Sequence, residues 1–570
     1  MGYAFSTHPG YSKAGRKDLD CWKGHLSTAG EIKKFTYILS SAILIVGIPL
    51  TKDRARKYVL LSMTAAMISV TIAHQGIQMI RIQKACKTVG IQAADSTALK
   101  SGTCKGFPTE NCTDSVYWRN KLIEAAQHNI VISGNYCGGR AINDCLNRIA
   151  KRMNEVPELK VVMLASSSTM TKATTAKFRL MKTQYGDRFH FVETPNFWHI
   201  GPWAKKVGNH CKLTLIDNGK YFITGSSNLT DHYLGTGLDD QSPKDFITAK
   251  YQDGPQIVSK SILSNGDKSA DSGLFSAMGA MDDRPETLIG RLIESRLART
   301  FRDMDFVFKG DETVGPALYN EMLNLAYRWE ALGQAGEFKL KISGKTSNIQ
   351  SLIDEPREEW SQVNTAVDFG NQNVESGAFS LITLGPECEE SCYETALVEQ
   401  IEKATSQIVI NHMYFHPTGK VMDALIAAAN RGVLIKIISN SIHKKSPKCH
   451  ENFVPRNRYN YGYLIDSVDE TKRKNITVLE FAQSKKGLHK KVVVIDDTVI
   501  AGSSNFGYKS LETAADYELN FSITSKAFAK ATLDVFKEDE KCCLVKTDFS
   551  LSINDYWTAS YHRAGAFMWG

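Results

Sequence analysis

His489-Lys-Lys-Val-Val-Val-Ile-Asp496, followed by Gly502-Ser-Ser-Asn505, is the stretch on which the reading of this chain turns. It has the spacing H-x-K-x4-D, and the same sparse pattern stands 279 residues upstream as His210-Cys-Lys-Leu-Thr-Leu-Ile-Asp217, followed by Gly225-Ser-Ser-Asn228. Between Lys and Asp both copies are apolar and β-prone, and strand alternation puts His and Lys on one face. After each Asp a short turn leads into a second β-prone run, 221–224 or 499–501. Each copy therefore predicts a strand, a turn and a strand.

The surroundings repeat as well. Before the first copy come a helix-like run, 116–127, a strand-like run, 129–136, a helical run near 140–153 and a strand at 160–164. Before the second come 394–405, 407–414, 418–430 and 433–438 in the same order. Ile130 and Ile408, like Tyr136 and Tyr414, are 278 apart, nearly the offset of the histidines. The chain thus contains an internal repeat, and alternating β and α segments predict an α/β fold with apolar strands buried under helices.

The doubled motif resembles the phospholipase D superfamily, whose signature is two H-x-K-x4-D motifs, each with a downstream glycine, serine and asparagine. The resemblance implies two duplicated α/β lobes that form one shared active site. It implies a phosphodiesterase or phosphatidyltransferase in which one imidazole attacks phosphorus to give a phosphohistidine, splitting one difficult displacement into two. The other imidazole, protonated, serves the leaving oxygen and later takes a proton from water or an alcohol. By the usual order of the family His210 is the nucleophile and His489 the acid/base; the residues themselves leave the reverse order open. Lys212, Lys491, Asn228 and Asn505 are expected to bind the phosphoryl oxygens, with Ser226 and Ser503 tuning that pocket. A carboxylate is needed to orient each imidazole. Glu518, thirteen residues after Asn505, and Asp239 or Asp240 after Asn228 are the candidates. Asp217 and Asp496 complete the motifs and are expected to hold neighbouring turns. No acidic cluster near either motif has metal-ligand spacing, so no metal or other cofactor is expected. His412, His416, His443 and His450 have no spacing partner and read as loop or core histidines.

At 570 residues with 42% apolar content the chain has ample material for a large core. A net charge of +8 is mild for this size and suits any anionic surface. Residues 35–50 and 58–80 are apolar runs separated by the charged Thr51-Lys-Asp-Arg-Ala-Arg-Lys57. They predict a helical membrane hairpin at 35–80 after a tail at 1–34. Lys and Arg flank both runs, so the orientation rule gives only a slight preference for a cytosolic turn. The pairs Cys104/Cys112 and Cys388/Cys392 would permit disulfides on the other side, whereas Met1-Gly-Tyr-Ala-Phe-Ser6 matches a cytosolic myristoylation pattern. The expected division is a first phospholipase D-like half at 110–250, an insertion with connecting helices at 251–385 and a second half at 386–570.

Two substrate classes follow. The tandem apolar runs resemble the anchor of bacterial cardiolipin synthases, and Asn505-Phe-Gly-Tyr-Lys-Ser510 resembles a segment of phosphatidylglycerophosphate synthases. That likeness implies a membrane-associated enzyme acting on phospholipids. The alternative is a membrane-anchored nuclease for single-stranded nucleic acid, with Trp198, Trp203 and 459–463 as stacking platforms beside the basic stretch 442–458.

Overall fold

The computed structural model describes residues 101–559, apart from 167–169, 171, 196, 199–205, 235–299, 335–347, 356–359, 386–390, 443–449, 484–485, 513–514, 554 and 556–557. The expected tail and membrane hairpin, 1–80, lie outside the described residues. Among the described residues no helix is long and apolar enough to cross a membrane.

The first lobe begins with β1 (Ser101–Pro108), α1 (Cys112–Ala125), β2 (Asn129–Gly134), α2 (Gly139–Glu155) and β3 (Lys160–Ala165). It continues with α3 (Lys172–Tyr185), β4 (Phe189–Glu193) and the short β5 (Phe197–Trp198) and β6 (Lys206–Val207). The first motif lies at β7 (Leu213–Ile216) and β8 (Tyr221–Gly225). After α4 (Asp231–Leu234) come β9 (Thr300–Arg302), β10 (Asp305–Gly310) and α5 (Val314–Gln334). A short α6 (Ile349–Asp354) leads to the second lobe: β11 (Glu375–Leu384), α7 (Cys392–Lys403), β12 (Gln407–His412), α8 (Gly419–Arg431), β13 (Leu434–Asn440), α9 (His450–Ser467) and β14 (Ile476–Phe481). The second motif lies at β15 (Lys486–Leu488), β16 (Lys491–Ile495) and β17 (Thr498–Gly502), followed by α10 (Tyr508–Leu511), β18 (Glu518–Thr524), α11 (Lys526–Glu540) and β19 (Cys543–Lys546).

Fifteen of these strands form one mixed sheet, in the order β19-β14-β13-β12-β16-β17-β18-β11-β1-β10-β8-β7-β2-β3-β4. From the central β11–β1 pair outward the two sides run in matching order, with β19 as an added edge. β1 and β11 pair antiparallel with Ser101 opposite Ser380, as a two-fold relation between the lobes requires. The parallel pairs β2–β3 and β12–β13 are each crossed by a helix, α2 or α8, because parallel neighbours cannot be joined by a tight turn. Thr418 caps the start of α8, accepting from Val421 N–H, and Gly432 at φ 103° closes its end.

Burial explains the layering. Alternate residues of β7 and β16 point to opposite faces: Leu213, Leu215, Val492 and Val494 join a core beneath α5 and α11, while Ile216 and Val493 join cores on the other face. The first of these cores is continuous across the lobes, with Phe308 stacked on Phe528 at 5.8 Å and Phe379 on Phe521 at 5.5 Å. Each fully buried phenylalanine contributes on the order of 1.5–3 kcal/mol, so the seam between the lobes is a packed interior. On the opposite face α1–α3 cover a first-lobe core and α7–α9 a second-lobe core. Within the stretch 251–385, the described residues at 300–334 add β10 to the first lobe's side of the sheet, and β11 opens the second. The helical run 316–332 falls inside α5.

Candidate active site

His210 lies three residues before β7, and its position is set by the other lobe. Its backbone N–H donates to the Tyr517 carbonyl at 2.8 Å, and Tyr517 N–H donates to Gly208 O at 2.9 Å. Its Nδ1 is 2.9 Å from Glu518 Oε2, at the start of β18. His489 repeats the arrangement with the lobes exchanged. β15 pairs with β9, His489 N–H donates to Arg302 O at 2.9 Å, and Nδ1 is 2.8 Å from Asp303 Oδ1. Each imidazole is thus held through Nδ1 by a carboxylate of the opposite lobe. A carboxylate partner there places the ring proton on Nδ1 and leaves Nε2 with its lone pair.

Asp303 takes the place for which Asp239 or Asp240 was expected; those two lie outside the described residues. The register identifies it. Asp305 stands opposite Gly225 as Asn520 stands opposite Gly502, and Asp303 and Glu518 each precede by two residues. The signal was present in sequence, since Asp303-Met-Asp-Phe306 and Glu518-Leu-Asn-Phe521 share an acid, a polar residue and a phenylalanine at equal spacing. The interval hid it, because Asp303 follows Asn228 by 75 residues while Glu518 follows Asn505 by 13.

The glycines of the two motifs are demanded by these same strands. A Cβ on Gly225 would lie 2.5 Å from Met304 O, and one on Gly502 would lie 2.4 Å from Leu519 O, with φ at 157° and 151°. The serines that follow bind the carboxylate strands directly. Ser226 Oγ donates to Met304 O at 3.1 Å, Leu519 N–H donates to Ser503 Oγ at 2.9 Å, and Ser503 and Ser510 hydroxyls donate to Glu518.

Lys212 and Lys491 are wholly or almost wholly buried. Lys212 Nζ donates to His210 O at 2.8 Å, and Lys491 Nζ donates to His489 O at 3.1 Å and lies against the imidazole, 2.9 Å from Nε2 and 3.3 Å from Nδ1. Among the described residues no group hydrogen-bonds His210 Nε2. Burial lowers Lys491 to about 7, with Lys212 adding to the effect, and burial lowers Lys212 to about 8. Burial, then Lys491, holds His489 at about 3 despite Asp303. Burial also lowers His210, on which the charges of both lysines act. Each histidine therefore feels the lysine of the other motif, so the two motifs share one electrostatic environment. Burial pushes Glu518 up, but His210, Lys212 and the Ser503 hydrogen bond outweigh it and leave the carboxyl at about 2. Two buried lysine amines, whose protonated forms an anion would favour, stand beside two imidazoles of lowered basicity, an arrangement suited to a phosphoryl anion. Asn228 Oδ1 accepts from Tyr136 N–H at 3.4 Å. Asn505 Oδ1 is buried with no hydrogen bond among the described residues.

Asp217 and Asp496 touch neither imidazole. Asp217 accepts from the N–H groups of Gln127, His128 and Asn129 and from Thr365 Oγ1. Asp496 accepts from the N–H groups of Thr405, Ser406 and Gln407. Each locks the turn before β2 or β12. Each also sits at positive φ, 51° and 48°, a conformation aspartate tolerates better than most residues.

Of the remaining candidates, His416 is buried with Nε2 3.3 Å from Phe453 O, and His412 is buried at the end of β12. His443, Trp203, Lys444, Lys445 and Lys448 lie outside the described residues. Arg458 is paired with Glu480 through two bonds of 2.7 Å. Among the described residues Cys104 and Cys112 form no disulfide, and Cys388 lies outside them. Among the described residues no group of three or more His, Cys, Asp or Glu could hold a metal ion.

Residues 397–540, which include the second motif, match the family model described as "Cardiolipin synthase, PLD-like domain". The chain is 25% identical over 160 residues to "Major cardiolipin synthase ClsA" of Bacillus subtilis (strain 168), covering 28% of this chain and 30% of that protein. It is 25% identical over 204 residues to "Cardiolipin synthase A" of Buchnera aphidicola subsp. Schizaphis graminum (strain Sg), covering 35% and 37%. The alignments thus span about a third of the length of these curated relatives. The crystal structure of phosphatidylserine synthase from Haemophilus influenzae Rd KW20 superposes with a TM-score of 0.49 and 12% identity, over 81% of this chain and 92% of that one.

Proposed function

We propose that this chain, whose residues 397–540 match the model described as "Cardiolipin synthase, PLD-like domain", is a phospholipase D-type enzyme that opens a phosphodiester of a phospholipid and passes the phosphatidyl group to water or an alcohol. The observation that carries this reading is the crossed pair of imidazoles, each oriented at Nδ1 by a carboxylate from the opposite lobe. His210 Nε2, unengaged among the described residues, attacks phosphorus, and ionised Glu518 balances the charge that the ring acquires. The P–O bond to the leaving alcohol breaks as His489 gives that oxygen a proton. Water or an acceptor alcohol then loses a proton to His489, attacks phosphorus and releases His210. Lys212, Lys491, Asn228 and Asn505 hold the phosphoryl oxygens through both steps. Burial and then the lysine charges depress His489; a bound anion offsets the lysine part and so raises the acid. The runs at 35–50 and 58–80 belong to the same reading as a membrane attachment that keeps lipid within reach. The name of the curated relatives, cardiolipin synthase, favours a glycerol-type acceptor.

The full chain would be offered phosphatidylglycerol vesicles with and without ethanol, and a labelled single-stranded oligonucleotide, all in chelator. Lipid turnover with exchange into phosphatidylethanol is expected, and His210→Ala or His489→Ala should abolish it. Oligonucleotide cleavage without lipid turnover would select a nuclease instead, a reading favoured by Tyr459 and Tyr463, exposed one turn apart on α9. Wild-type-like turnover by either histidine variant would refute the shared site. In acid-quenched reactions the phosphoryl label should be found on the peptide containing His210.

A further inference from the structure

The chemistry above has no use for His412, a buried imidazole of the second lobe. His412 stands directly across from Lys491 in the antiparallel β12–β16 pair, and such neighbours share a face with Cβ atoms about 4.5–5.5 Å apart. Its ring packs on Phe506 at 5.5 Å, and Phe506 follows the site residue Asn505. The side chain is wholly buried, yet neither Nδ1 nor Nε2 has a hydrogen-bond partner among the described residues. A buried polar group left unpaired lowers stability, and a partner that engages it at some stage recovers that cost.

The first lobe shows that the fold does not need this ring. Ile130 faces Ile216 as Ile408 faces Ile495, and four residues on stand Gly134 in one lobe and His412 in the other. The two half-sites differ in a second way. Lys491 Nζ lies against the His489 imidazole, 2.9 Å from Nε2, the atom that must serve the leaving oxygen, and 3.3 Å from Nδ1, whereas among the described residues Lys212 donates only to a backbone carbonyl. For His489 to take up and pass on a proton, Lys491 has to draw back from that ring, and an ammonium needs an acceptor wherever it goes.

We propose that His412 is a positioning residue that receives Lys491 when substrate binds. One ring nitrogen of His412 accepts a hydrogen bond from Lys491 Nζ, the lysine turns its remaining donors to a phosphoryl oxygen, and His489 Nε2 is freed for proton transfer. The inference rests on the proposed phosphodiester chemistry. Burial, with Lys491 and His489 beside it, keeps His412 in the neutral form that can accept.

The test compares the full chain with its His412→Leu and His412→Gln variants on phosphatidylglycerol vesicles, with melting temperature measured in parallel. Leucine removes an unpaired polar group, so that variant should melt at or above the unsubstituted protein while kcat falls at least about tenfold and KM stays within about twofold. Glutamine keeps an acceptor on a side chain of similar reach and should retain kcat within about threefold. Unchanged kcat in His412→Leu overturns the proposal. So does an effect confined to KM, an equal loss in both variants, or a lowered melting temperature that accounts for the lost activity. Absence of turnover by the unsubstituted protein refutes the proposed function itself, and this inference with it.

Discussion

At the scale of single residues, the site depends on which charge faces each Nδ1. Glu518→Gln and Asp303→Asn keep size and remove the charge that balances an imidazolium, so each should lower kcat by about 10²–10⁴-fold without loss of folding. Circular dichroism alongside turnover would check this, and full activity in either variant would show that the carboxylate does not orient its histidine. The depressed basicity of His489 has a consequence for stability. Its folded value is about 3 against 6.5 ordinarily, so on acidification the unfolded chain takes the proton first. The stability it contributes is complete above pH 6.5 and is lost as pH falls toward 3, with a slope of up to about 1.4 kcal/mol per pH unit. Denaturation midpoints measured across that window should show a shallower fall for His489→Gln than for the unsubstituted protein.

At the scale of elements, the two Gly-Ser-Ser-Asn turns and the two aspartate-locked turns hold the strands in register. Asp496 accepts from three consecutive amides, and Asp496→Ala would hand them to water, at a cost of about 0.5–1.5 kcal/mol. Gly502→Ala would drive a Cβ against Leu519 O and push β18 away, together with Glu518. It should destabilise by at least about 1–3 kcal/mol and reduce kcat, because His210 loses its orienting group. Urea denaturation measures both variants, and an Asp496→Ala protein as stable as the unsubstituted one would remove the turn-locking role. The order of strands and helices around each motif was legible in advance, because apolar runs bounded by polar turns carry their own periodicity. The lysine and aspartate of each motif were legible as a pair, but not the separation of their duties. That depends on the left-handed turn that carries each aspartate away from the histidine and toward 127–129 or 405–407.

At the scale of the whole molecule, the lobes are joined by backbone pairing, by a shared core and by a buried ionic cluster. Asp539 of α11 holds Arg302 of the first lobe at 2.8 Å and Lys490 of the second at 2.5 Å. Those two cations are the sequence neighbours of Asp303 and His489, so the cluster spans the junction at which that pair is set. Since one chain supplies both histidines and both carboxylates, mixing His210→Ala protein with His489→Ala protein should restore no activity. Recovery toward half of the unsubstituted rate would instead reveal exchange of lobes between chains.

The duplicated motif, the α/β alternation and the residues of the half-sites are written locally, in spacings short enough to read along the chain. Glu518 was found because it lies a fixed short distance beyond its asparagine, whereas Asp303, 75 residues beyond Asn228, was not. The crossing of carboxylates between lobes, and the placement of His412 beside Lys491, were decided by tertiary structure alone. Strand register across a two-fold seam joins residues 186 to 308 positions apart. Contacts at that separation arise only when the sheet closes the distance, so no local pattern in the chain encodes which lobe serves which imidazole.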